Sequence, residues 1–422
     1  MISRFAFCGL MLFFALSDLG GATEAEPRLR IMKILEATPL IDGHNDLPYL
    51  LRQNKSAFDE VDITGDCTSV ELRQTDLKRL RSGGVGGQFW SVYVPGDLPE
   101  PEILMKVLEQ IDLVKRMIEK HPKDLAMAIS AADIVRIHKS GKIASLIGVE
   151  GGGAIAESLG VLRQLRSLGV AYMTLTHERT TGWADSATDE PKFHGLSPFG
   201  VKVIAEMNRE GMLIDLSHVS DDVMHDALKL SKAPVIFSHS SARALVDHPR
   251  NVPDDVLRTV AKNGGIVMVN FASNFISMDV RDAFVERAAL EARLRALYPN
   301  DSAQRARQSK LWRSEHPLPH ATISQVADHI GHISQIAGID HVGLGSDFDG
   351  AALTPDGLSG VDGYPRLLEE LMHRGWSSQD IAKLVGGNIL RVMREVESTS
   401  KQLRRTADER KVGQKDASVT AR

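Results

Sequence analysis

Leu40-Ile41-Asp42-Gly43-His44-Asn45-Asp46 is an apolar run that ends in a histidine and an aspartate two residues apart. Side chains two apart on a β-strand share a face, so His44 and Asp46 stand together at the strand's carboxyl end as a metal-binding pair in outline. A His and an Asp this close also occur by chance in loops, and the pair alone decides little. The same arrangement recurs downstream, however. Ala144-Ser145-Leu146-Ile147-Gly148-Val149 ends in Glu150, Met212 to Ser217 ends in His218, and Pro234 to Ser238 ends in His239.

Working outward, short apolar runs alternate with helical patterns, which points to βα units around a parallel sheet. Candidate strands are Pro39 to His44, Gly87 to Val94, Ala144 to Glu150, Tyr172 to His177, Met212 to Ser217, Pro234 to Ser238, Gly265 to Phe271 and Val342 to Asp347. Eight such strands close a (β/α)8 TIM barrel, an α/β fold. Near-continuous hydrophobicity, as in Gly265 to Phe271, suits strands covered on both faces. Between them, Ser197-Pro198 supplies an N-cap and a proline for the first helical turn, Phe199, Val203 and Met207 share a face, and Gly211 offers a stop. Similar helical segments run from Ser220 to Leu230, Pro253 to Lys262, Ser324 to Ala337 and Ser378 to Val396. The charge-rich stretch from about 277 to 320 breaks the rhythm as a helical insertion, and a surface elaboration is favoured over an active-site lid. The barrel domain is expected over 28–399, with 400–422 a polar, solvated tail.

The 422 residues, 43% hydrophobic and 25% charged, leave ample chain for a large core. A formal net charge of -5, with no basic stripe interleaved with aromatics, argues against a nucleic-acid partner. Residues 1–22 read as a cleavable signal peptide: Arg4, an apolar run from Phe5 to Leu16, then Gly20-Gly21-Ala22. The run falls short of the ~20 residues a bilayer requires, and Cys8 opens the run instead of following it, so neither a span nor a lipid anchor is expected. The protein is expected to be exported, periplasmic or secreted. Cys67 is then the one remaining cysteine, an incidental thiol with no disulfide partner and no base in Thr64-Gly65-Asp66-Cys67-Thr68.

Residues at the carboxyl ends of barrel strands converge on one mouth. His44, Asp46, Glu150, His218 and His239 would meet there, and three imidazoles with two carboxylates match the ligand preference of zinc. Five groups exceed what one catalytic zinc usually takes. With Glu150 as the bridge, two metals are each left with three protein ligands and an open position. Taken singly, His218 is as well read as a hydrogen-bonded core histidine, Glu150 as an ion-pair partner and His239 as a cap for the next helix. Together, with no obvious cationic partner nearby, they would be very costly to bury without a metal.

Ile41 to Asp46, Leu146 to Gly152, Leu175-Thr176-His177, Ile214 to Ser220, Pro234 to Ala242, Asn251 to Val256 and Gly345 to Gly350 together resemble the membrane (renal) dipeptidase family of zinc peptidases, across roughly Ile34 to Val396. The resemblance implies a barrel of the metal-dependent amidohydrolase type, two Zn2+ per chain, dipeptide substrates and a homodimer. It also implies one metal site from His44, Asp46 and Glu150 and a second from Glu150, His218 and His239. Positions matching the family's substrate groups are His177, Arg250 and Asp347. In these roles His177 stabilises the oxyanion, Asp347 passes a proton to the leaving amine, and Arg250 grips the substrate carboxylate. Arg250 beside Pro249 also reads as a surface ion-pair residue, and Asp349 competes with Asp347 for the proton work. Family cysteines and a hydrophobic carboxyl tail are missing, Phe275 stands where a phenol is common and Gly153 where a histidine is; the long insertion after Ser277 and the signal peptide look like an exported bacterial member. Two rival readings differ in kind. One is another amidohydrolase, a lactonase or deaminase, many of which bridge their metals with a carboxylated lysine that no candidate strand here supplies. The other is a non-catalytic metal- or solute-binding protein.

Overall fold

A computed structural model describes residues 21–53, 63–64 and 73–420, with side chains between 26 and 406. The proposed signal peptide up to residue 20, and Cys67, lie outside the described residues. Nine parallel strands follow in chain order: β1 (Leu40–Asn45), β2 (Val85–Tyr93), β3 (Leu125–Met127), β4 (Ile143–Glu150), β5 (Val170–Thr174), β6 (Leu213–Asp215), β7 (Ile236–Phe237), β8 (Ile266–Val269) and β9 (Val342–Leu344). Eight of them close a ring in the order β1, β2, β4, β5, β6, β7, β8, β9 and back to β1, which is the expected (β/α)8 TIM barrel. β3 is an addition to the eight expected strands. It pairs with the first residues of β4, from Leu125↔Ile143 to Met127↔Ser145, below the point where β5 takes over at Ile147.

Alternation along each strand divides its side chains between two apolar layers. Ile41, Phe89, Leu146, Tyr172, Ile236 and Ile266 point into the barrel, while their neighbours Leu40, Trp90, Ile147, Met173, Phe237 and Val267 join the layer under the helices. All twelve are essentially inaccessible, so both faces of the sheet are dry, which is why the runs read as continuously apolar. Helix Pro198–Glu210 begins as its sequence dictates: the Ser197 hydroxyl accepts from the Phe199 and Gly200 amides, and Val203 and Met207 face the sheet. Gly211 ends the helix in the left-handed conformation at φ 67°.

The helix Asn388–Thr420 closes the amino-terminal mouth. Ile389, Leu390, Val392 and Met393 join the barrel-interior cluster, and the Asn388 side chain donates to the carbonyls of Ile339 and Val342 at 2.7 and 2.8 Å. This helix continues through the stretch from 400 that was expected as a tail. The insertion is a pair of helices, Met278–Leu297 and Ser302–Glu315, with Val285 and Leu311 exposed. Among the described residues no helix is long and apolar enough to cross a membrane.

Candidate active site

With the amino-terminal mouth sealed, the carboxyl ends of the strands open onto the other face. His44 lies on β1 and Asp46 just beyond it, Glu150 is the last residue of β4, and His218 and His239 follow β6 and β7. These five converge, each no more than 8% exposed. Glu150 sits at their centre: its Oε2 is 3.3 Å from His44 Nε2, and its Oε1 is 2.9 Å from His218 Nε2 and 3.3 Å from His239 Nε2. Asp46 Oδ2 reaches His44 Nε2 at 3.3 Å.

The residues expected to serve substrate arrive at the same mouth. His177, three residues past β5, brings its Nε2 to 3.6 Å from Glu150 Oε1 and lies tilted against His218 with ring centroids 4.1 Å apart. Asp347, past β9, groups with His44 and Asp46, their ligand atoms all within 4.8 Å of one another. Asp349 turns away and is held by Gln74, accepting from its amide at 2.6 Å. Arg250 is 4% exposed, which removes the surface ion-pair reading; it donates to the His239 carbonyl at 3.2 Å and lies over the Phe275 ring. His218, Asp347 and Asp349 all adopt positive φ, at 73°, 64° and 67°. Non-glycine residues in that region cost on the order of 1–3 kcal/mol each, and such strain gathers where a site demands it.

Several supporting groups were not singled out from the sequence. Tyr172 Oη lies 2.8 Å from His44 Nδ1 and donates to the Gly43 carbonyl at 3.1 Å, which makes it the acceptor for a proton on Nδ1 and turns the Nε2 lone pair toward the carboxylates. The phenol crosses the barrel only because position 148 is glycine: a Cβ there would stand 2.0 Å from Tyr172 Cζ. Ser238 Oγ pairs with His239 Nδ1 at 2.7 Å, and Asn270 donates to Asp347 Oδ2 at 2.9 Å. Asp42, directly below His44, accepts from the Ser346 amide and hydroxyl and from Gln88. The one sequence cue to Tyr172 was an aromatic residue with a polar tip at an inward-facing strand position.

The electrostatics are those of a cation site. Burial pushes the Glu150 carboxyl up, yet His44, His177, His218 and His239 outweigh it and hold it well below the ordinary carboxylate range. Burial drives His218 and His239 well below the usual histidine value, with Arg250 adding to the effect. His44 goes the other way: burial opposes its charge, but Tyr172, Glu150 and Asp46 carry it well above 6.5. Burial raises Asp347 to about 7, opposed by His44 and reinforced by Asp46 and Glu150. Burial lowers Arg250 to about 10, which leaves it cationic at neutral pH.

A metal ion fits these residues. His218 Nε2 and His239 Nε2 are 2.9 Å apart and both face the same carboxylate oxygen, while His44 Nε2 is buried with no hydrogen-bond partner. Ring nitrogens aimed at one another and at carboxylates are a costly packing for protein alone, but they are the donor arrangement that divalent transition metals take. His44, Glu150 and His239 form one compact group of donors, Glu150, His177 and His218 a second, and His44, Asp46 and Asp347 a third. Glu150 and His44 each belong to two of the three.

A closed (β/α)8 barrel carrying histidines and carboxylates at its carboxyl mouth defines the class of metal-dependent barrel hydrolases. The chain belongs to the membrane dipeptidase family, peptidase family M19, whose model matches residues 28–407. It is 41% identical over 391 residues to dipeptidase verJ of Clonostachys rogersoniana, covering 90% of each chain. The crystal structure of the probable dipeptidase PvdM from Pseudomonas aeruginosa superposes with a TM-score of 0.77 at 26% identity, over 89% of this chain and 99% of that one. Dipeptidase AC, a metallopeptidase of family M19, gives a TM-score of 0.71 at 25% identity, over 85% of this chain and 99% of its own.

Proposed function

We propose that this chain is a binuclear zinc dipeptidase that hydrolyses dipeptides to free amino acids. His44, Asp46 and Glu150 would hold one metal and Glu150, His218 and His239 the other, with Glu150 common to both sets. When bound, the two zinc ions supply Lewis-acid polarisation of the peptide carbonyl and a water acidified toward neutral pH.

The remaining work falls to side chains of the mouth. Arg250, buried and still cationic, grips the substrate carboxylate, and the Phe275 ring beneath it limits its swing. His177 is neutral at pH 7, since burial lowers its pKa, and it presents Nε2 to the developing oxyanion. Asp347, raised to about 7, holds a proton that it delivers to the leaving amine, with Asn270 fixing one carboxyl oxygen so that the other faces the substrate. We further infer that the catalytic unit spans 28–399 and that the apolar run Phe5 to Leu16 directs export.

The observation that carries this reading is the meeting of four imidazoles, those of His44, His177, His218 and His239, on the Glu150 carboxylate at the mouth of a family M19 barrel. Among the described residues no strand ends in a lysine that could become the carbamate bridge of the rival amidohydrolases. Metal analysis of the purified protein, with ninhydrin detection of amino acids released from a dipeptide panel, tests it. Chelator-sensitive cleavage with two zinc ions per chain is expected. Full activity in stripped protein, or retained zinc with no turnover on any member, refutes it.

A further inference from the structure

Beside His177 the mouth opens into a cavity of about 300 Å³, at the small end of the ~300–1,000 Å³ range of small-molecule sites. Val94, Leu98 and Ile103 line it together with Gly151, Gly153 and the neutral Thr180 and Thr181. A Cβ at Gly153 would meet only Ile103 Cδ1, at 3.4 Å, and Gly153 has ordinary negative-φ geometry, so glycine here is not demanded by the backbone. What the missing side chain leaves is room. Glu100, Arg179 and Lys192 also line the cavity and mix signs, so no single charge is favoured there.

The ring order places this cavity. It lies beyond β2, β4 and β5, whereas Arg250 follows β7 and Phe275 follows β8, and β4 and β8 stand opposite each other across the eight-strand ring. A dipeptide whose carboxylate sits on Arg250 therefore directs its carboxyl-terminal residue toward the β7–β8 side and its amino-terminal residue toward the cavity. We propose that this cavity selects the amino-terminal side chain of the substrate, favouring a large uncharged apolar one such as Leu, Met or Phe, and that Gly153 and Leu98 set that preference. The inference rests on the dipeptidase reading.

The test compares kcat/KM of the zinc-loaded enzyme on Leu-Ala, Gly-Ala, Glu-Ala, Lys-Ala, Ala-Leu and Ala-Gly for the wild type, Gly153→Leu and Leu98→Ala. Matching even one methylene in an apolar pocket is worth ~10–200-fold, so the wild type should favour Leu-Ala over Gly-Ala by tenfold or more. Gly153→Leu fills the cavity and should reduce that ratio about tenfold or more; Leu98→Ala removes one wall and should reduce it by a smaller factor. The Ala-Leu to Ala-Gly ratio should hold steady in both variants, and zinc content reports that the site has folded. A wild-type preference for Glu-Ala or Lys-Ala, a Leu-Ala to Gly-Ala ratio that neither variant moves, or an equal loss on Ala-Leu overturns the proposal. If the wild type cleaves no dipeptide, the dipeptidase reading falls and this inference with it; cleavage without the expected ratios overturns the inference alone.

Discussion

Tyr172→Phe removes one oxygen and leaves the ring in place. In the folded chain that oxygen is 2.8 Å from His44 Nδ1 and 3.1 Å from the Gly43 carbonyl, at a position with no solvent access. To present its Nε2 lone pair to a metal, His44 must carry its proton on Nδ1, and the Tyr172 oxygen is where that proton points. Without it the N–H is buried unpaired, at a cost of ~1–3 kcal/mol. That cost is charged against the metal-bound state, because the metal-free ring, held protonated beside Asp46 and Glu150, can shed its Nδ1 proton and keep the Nε2–H that faces those carboxylates. Loss of a comparable supporting hydrogen bond weakens metal sites by ~10–100-fold, or about 1.4–2.7 kcal/mol, which matches the unpaired-donor figure. Competition with a chromophoric zinc chelator reads this directly. One of two binding events should weaken by that factor while the other moves little, and the melting temperature of the metal-free variant should stay close to that of the metal-free parent. Gly148→Ala should reproduce the weakening with added instability, because its Cβ would stand 2.0 Å from the Tyr172 ring carbon. Unchanged affinity at both sites in Tyr172→Phe would refute the argument that this phenol sets the His44 tautomer.

Arg250→Ala should raise KM for free dipeptides and lower kcat/KM by ~10–150-fold, the value of a charge-assisted hydrogen bond of ~1.5–3 kcal/mol, while a dipeptide amide lacking the carboxylate should lose little; an unmoved KM sinks the clamp role. Asp347→Asn should cut kcat by ~10²–10⁴-fold at retained zinc content, and near-parental turnover would hand the proton step to another group. His329 gives a test of stability against pH: its Nδ1 accepts from the Ala242 amide at 3.0 Å, its Nε2 faces the Ile276 carbonyl at 3.2 Å, and burial lowers it to about 4. Below 6.5 the unfolded chain takes up a proton that the folded ring refuses until about 4, so stability present above 6.5 is lost as pH falls through that window, by up to about 3 kcal/mol. Urea midpoints at pH 7.5 and 4.5 should therefore diverge more for the parent than for His329→Gln, and parallel losses would exclude His329 as a source of acid sensitivity.

What could be seen in the chain before any coordinates divides along physical lines. Strands buried on both faces announce themselves because every residue must be apolar, and the eight runs at Leu40, Val85, Ile143, Val170, Leu213, Ile236, Ile266 and Val342 did so. β3 did not, because three residues between a long amphipathic helix and a capped one carry no period to detect, and the strand exists only through its ladder on β4. The proposed ligands were legible as a group for a related reason: a charged or imidazole side chain at the end of an apolar run has few uses other than one at the barrel mouth. Their supporting shell obeys no such rule. Tyr172 lies 128 residues from His44, and only the ring closure, together with the space left by Gly148, brings its hydroxyl to Nδ1. Buried inward-facing polar tips such as Tyr172 are thus where a barrel hides its second layer of chemistry. The left-handed turns at His218 and Asp347 are nearly as hard to see in sequence: histidine and aspartate are enriched in that region among non-glycine residues, but most of them lie elsewhere, so the residue type alone does not mark the turn. Both lie three residues past their strands, β6 and β9, where the chain has left the ladder and turns at the mouth. The same logic separates Asp347 from Asp349. Both have positive φ, but Asp349 spends its carboxylate on the Gln74 amide, which leaves Asp347 as the strand-end acid free to meet a substrate.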